Sequence, residues 1–184
     1  MIEFSFAFTT ALVVLGWLVF RLCCCLKAHS FSAKHEALQL LFLVNLMVIS
    51  RFVFHPMATV DGRVQPLIFD AAALWPPKVV LTPFVPMLDH ESIRDALVNL
   101  IGNFTMFIPT GILIPLLYKH LASFQKTVLT GFWISLAIEI IQLPFASRYS
   151  DVNDLILNTL GVAAGYGIWT LARKLICRRK KETL

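Results

Sequence analysis

The sequence predicts an all-α membrane protein, a bundle of about five transmembrane helices with one long outer loop. Three observations predict it. Of the 184 residues, 58% are hydrophobic, more than an average soluble domain carries. The apolar residues gather into stretches near the roughly 20 residues needed to cross about 30 Å of hydrocarbon. The basic residues then fall unevenly between the two ends of those stretches.

The first stretch covers about residues 4–26. Glu3 precedes it rather than a basic cluster, and no small-residue cleavage site follows, so it reads as a span and not a signal peptide. The others cover about 38–55, 96–118, 128–145 and 155–176. Little chain remains for a soluble domain, so 1–184 reads as a single membrane domain with a basic tail at 173–184. The longest connection, about 56–94, holds Pro56, Pro66, Pro76, Pro77, Pro83 and Pro86, and Asp61-Gly62 reads as a turn. Leu67, Ile68, Phe69, Leu74, Trp75, Val79 and Val80 make it too apolar to float in water. It is expected to lie over the outer surface as a lid, with a short strand at 64–69.

The formal net charge is +5, and its distribution speaks of topology rather than nucleic acid. With five spans, eleven of the 16 basic residues share one side: Arg21, Lys27, Lys34, Lys119, Lys126 and the six between Arg173 and Lys181. Arg51, Arg63, Lys78, Arg94 and Arg148 share the other with seven acids. That predicts the N-terminus outside and the C-terminus in the cytoplasm. Cys23, Cys24, Cys25 and Cys177 lie at cytoplasmic span ends, as apolar filler or as lipidation sites. They have no zinc spacing, the five histidines are scattered, and no phosphate loop or nucleophile elbow is present. No metal or other cofactor is expected.

What stands out is polarity inside the apolar stretches. Asn99, Asn103, Glu139, Gln142, Arg148, Asp151, Asp154 and Asn158 fall in spans or at their ends, at one predicted depth near the outer face. A charged group in hydrocarbon costs roughly 3 kcal/mol on insertion scales. Asn99 and Asn103, four apart, share a helix face and serve either as ligand groups or as interhelical glue. Glu139 and Gln142, three apart, share another. Glu139 lies about 9 Å below the outer end, where a carboxyl is either protonated or paired with a cation. Arg148 is a snorkelling anchor, a partner for Glu139 or Asp154, or a bidentate anion clamp. Asp151 suits a helix N-cap. Asp154 and Asn158, four apart, continue into Gly161 and Gly165 as a close-packing seam, and Pro109 and Gly111 are expected to kink the third span.

Several separated pieces of this pattern resemble the VanZ-like family of small bacterial membrane proteins. They run from Leu81-Thr82-Pro83-Phe84 through Asn99-Leu-Ile-Gly-Asn103-Phe-Thr-Met-Phe-Ile-Pro109-Thr-Gly111. They continue through Glu139-Ile-Ile-Gln142 and Arg148-x-x-Asp151-x-x-Asp154-x-x-x-Asn158-x-x-Gly161. The resemblance covers roughly 81–166, and Asn153 stands where an acid is common. The family is named for a member linked to resistance to the glycopeptide teicoplanin. The resemblance implies a multi-pass protein of the bacterial plasma membrane and cell envelope.

Two functions fit. In the first, Asn99, Asn103, Glu139, Gln142, Arg148, Asp154 and Asn158 line an outward-facing pocket. That pocket binds an amphipathic, lipid-like or lipoglycopeptide ligand among the membrane lipids. In the second, Glu139 and Asp154 are the acid and base of an intramembrane enzyme acting on a lipid or lipid-linked sugar.

Overall fold

The computed structural model describes residues 2–27, 32–55, 59–82 and 93–182. Five helices dominate: α1 (Phe6–Lys27), α2 (Ala33–Phe54), α3 (Ile93–Leu117), α4 (Phe124–Gln142) and α5 (Val152–Glu182). Among the described residues these five are long and apolar enough to cross a membrane. Their outward faces are apolar, with Leu15, Leu22, Leu41, Ile101, Leu129, Ile141 and Leu160 all more than half exposed. Such faces are stable only against lipid.

The helix boundaries differ from the sequence reading by a few residues, and two of the differences have local reasons. α2 begins at Ala33 rather than 38, because the charged turn before the apolar run is itself helical. Glu36 sits in that first turn and pairs with Arg21 of α1 at 2.5 Å. α4 stops at Gln142 because Pro144 follows, and a proline disfavours helical geometry in the residue before it.

By their contacts the residues form two compact units: Met1–Leu81 with Ala137–Val152, and Thr82–Leu136 with Asn153–Leu184. The first unit holds α1, α2, the end of α4 and most of the long loop. That loop is tied down by short strands. β1 (Ile2–Phe4) pairs antiparallel with β4 (Leu67–Phe69), setting Glu3 opposite Ile68. β4 also meets residues 144–146: Asp70 N–H donates to Pro144 O at 2.9 Å, and Ala146 N–H to Ile68 O at 3.0 Å. β2 (Thr59–Val60) and β3 (Arg63–Val64) form a hairpin whose Asp61 and Gly62 have φ of 50° and 71°. Two left-handed residues give a turn that matches strand twist, which is why Asp-Gly stands there. The expected strand at 64–69 is thus two strands, broken at Gln65-Pro66, since Pro66 has no N–H to donate. Lastly β5 (Val79–Val80) runs parallel to β6 (Ser150–Asp151). Pro83 and Phe84, part of the family-like pattern, lie outside the described residues.

Phe145 is the hub of this unit. Its ring meets Phe4, Phe54 and Phe69 edge-on, with centroids 6.3, 6.3 and 6.1 Å away. Edge-to-face pairs add about 0.5–1.5 kcal/mol each beyond burial.

The second unit is close-packed through glycine. A Cβ on Gly161 would stand 2.1 Å from Phe104 O, one on Gly165 2.1 Å from Ile108 O, and one on Gly111 2.1 Å from Val162 O. The predicted seam is therefore real: α5 lies backbone to backbone on α3. Pro109 and Pro115 both sit inside α3, which stays helical from Ile93 to Leu117.

Candidate functional site

The end of α2 organises the polar residues of the first unit. A helix leaves its last carbonyls without intrahelical donors. Here side chains supply them. Gln142 Nε2 donates to Val53 O at 2.9 Å, Arg148 Nε to Phe54 O at 3.1 Å, and Arg51 Nη1 to His55 O at 3.2 Å. Two of the three donors are guanidinium groups, the charge favoured at the negative end of a helix dipole. Gln142 and Arg148, both expected to line a pocket, thus hold a helix terminus.

Glu139 is 4% exposed, and its Oε2 accepts a hydrogen bond from Asp151 N–H at 3.0 Å. Asp151 immediately precedes α5, so the carboxylate faces the amino end of a 31-residue helix. The need for positive charge around a buried carboxylate is met at least in part by backbone. Gln142, one turn along, is also 4% exposed, and its Oε1 is buried with no hydrogen-bond partner among the described residues. Its amide orientation is fixed, because only the NH2 group can face Val53 O.

Beside them lies a residue the sequence reading passed over. His55 is fully buried, with Nε2 2.8 Å from Thr9 Oγ1 and Nδ1 3.1 Å from Gln65 O. A carbonyl only accepts, so Nδ1 carries the proton toward Gln65 O; Thr9 Oγ1, beside Nε2, also lies 3.0 Å from Phe6 O. Burial lowers the His55 pKa; Arg51 and Arg148 lower it further, and the Gln65 carbonyl opposes them. The signal available was position: a polar ring ending an apolar run, directly before Pro56.

In the second unit Asn103 Nδ2 donates to Asp154 Oδ1 and lies 3.4 Å from Asn99 Oδ1. Asp154 occupies the first turn of α5, where a carboxylate suits the dipole. Asn158 is 1% exposed and donates from Nδ2 to Ser135 Oγ at 2.9 Å, while its Oδ1 is buried without a partner among the described residues. Ser135 went unremarked, although it stands four residues before Glu139 and seven before Gln142, on one helix face. Asn153, noted only as a departure from an acid, is fully buried.

So the structure brings Glu139 to Asp151, Asn103 to Asp154 and Asn99, and Asn158 to Ser135. Of the two candidate catalytic carboxylates, Glu139 belongs to the first unit and Asp154 to the second. Among the described residues no three His, Cys, Asp or Glu side chains gather as metal ligands would.

Five apolar helices and polar groups buried between them define a multi-pass helical membrane protein. The VanZ/LLP1 family model matches residues 8–173, and the chain belongs to that family. The match takes in α1 and α2, beyond the 81–166 that the motifs alone suggested. The chain is 33% identical over 102 residues to Protein VanZ of Enterococcus faecium, across 55% of this chain and 58% of that one. It therefore spans under two thirds of the length of the curated relative it matches. No solved structure matches it.

Proposed function

We propose that this is a cell-envelope protein that binds an amphipathic, lipid-like or lipoglycopeptide ligand at the outer leaflet, linked to glycopeptide (teicoplanin) resistance. One observation carries the reading. Gln142, on the same helix face as the buried Glu139, carries a buried acceptor with no partner among the described residues. An unsatisfied buried acceptor costs about 1–3 kcal/mol, a burden that a donor from a ligand relieves. Hydroxyls or an ammonium group are such donors, and Arg148 adds an anion contact at the rim. In the second unit Asn99, Asn103, Asp154 and Asn158 form a polar set of their own, in which Asn158 Oδ1 repeats the unsatisfied acceptor. The split of basic residues supports an outside N-terminus and a cytoplasmic C-terminus.

The test is teicoplanin binding by the full chain in nanodiscs, read by fluorescence of a labelled drug. Saturable binding that weakens at least tenfold in Glu139→Gln is expected, since that change keeps shape and removes charge. No saturable binding by the parent chain would overturn the reading.

A further inference from the structure

α5 is longer than a membrane requires. Its 31 residues rise about 46 Å at 1.5 Å each, against about 30 Å of hydrocarbon. With Val152 at one interface, roughly 20 residues bring the helix to the other near Arg173. Trp169 marks that level, with the Arg173 guanidinium 5.6 Å above its ring. The last turns then pass through the headgroup layer as helix, carrying Arg173, Lys174, Arg178, Arg179, Lys180 and Lys181. Arg173, Lys174, Arg178, Arg179 and Lys181 are exposed. Between Asp154 and the closing Glu182 the helix has no acidic residue, so six basic residues stand against one acid at this end. At about 3.6 residues per turn the basic positions fall all round the helix axis, with Leu171, Leu175 and Ile176 exposed among them. A basic amphipathic ribbon would lie on a surface; a cationic collar on a spanning helix meets a ring of headgroups instead.

We infer that the 173–181 collar is a binding site for anionic phospholipid headgroups of the phosphatidylglycerol type. Arg and Lys reach phosphate oxygens from the collar while their stems lie along acyl chains. A basic side chain near an anionic leaflet is worth about fivefold in binding, and salt screens it. This holds whatever ligand the buried polar groups take.

The test uses the full chain in detergent, titrated with phosphatidylglycerol or phosphatidylcholine and read by native mass spectrometry. At least tenfold preference for phosphatidylglycerol is expected. The combined variant Arg178→Gln, Arg179→Gln, Lys180→Gln, Lys181→Gln should lose most of it, with unchanged helical circular dichroism. In phosphatidylglycerol nanodiscs, a fluorophore on Cys177 should shift blue relative to phosphatidylcholine discs and return in about 1 M salt. Equal binding of the two lipids, equal preference in parent and variant, or retention of nucleic acid in place of lipid would each overturn the inference.

Discussion

At the scale of single residues, the polar positions hold the fold as well as offering contacts. Arg148 shows this best. Its Nε serves the last carbonyl of α2, so Arg148→Ala leaves Phe54 O without that donor. A loss of about 1–3 kcal/mol is expected, measured by thermal unfolding in detergent. His55 gives a pH dependence with a definite sign. Its pKa is lowered in the folded chain, so the unfolded chain binds the proton more readily. The stability it contributes is complete above its ordinary value of about 6.5 and declines as pH falls below it, levelling at the folded value. Arg51, Arg148, Thr9 and Gln65 surround the ring. The melting temperature should therefore drop between neutral and mildly acid pH, and His55→Asn should flatten that drop. The sequence disclosed which residues were polar where lipid would be, but not their partners. Val53 O, Phe54 O and Asp151 N–H are backbone groups, and no side-chain pattern announces them.

At the scale of elements, the seam between α3 and α5 decides the packing of the second unit. Gly161→Ala and Gly165→Ala each drive a methyl into a backbone carbonyl, which cannot swing aside as a side chain can. A loss of about 1–3 kcal/mol or more is expected from each. Gly102→Ala and Gly167→Ala meet nothing within 4 Å and should be neutral or slightly stabilising. Unfolding curves of the four variants check the contrast; equal effects would show that the seam is loose. The helices were legible because apolar length is a strong signal. The boundaries were not, since Glu36 needs Arg21 before it can be seen as helical. The long loop was half legible: Asp61-Gly62 marks its turn, but the pairings of Ile2–Phe4 and Ser150–Asp151 join residues far apart in sequence.

At the scale of the whole molecule, membership of the VanZ/LLP1 family and five apolar helices make this a multi-pass membrane protein. The charge split predicts its direction. A membrane-impermeant maleimide should leave Cys177 unlabelled in intact cells and label it after lysis, in a chain whose other cysteines are serine. Labelling in intact cells would reverse the topology. The long separations in the first unit also set an order of events during synthesis. The last carbonyl of α2 waits for Arg148, which follows 94 residues later. At about 5–20 residues per second, translation leaves that helix end bare for roughly 5–20 s. Through that interval the α1–α2 hairpin sits in the bilayer with the Val53 and Phe54 carbonyls met only by water or headgroups. A ribosome stalled before residue 142 would therefore display a nascent chain cleavable near Phe54, and one released beyond residue 148 would not.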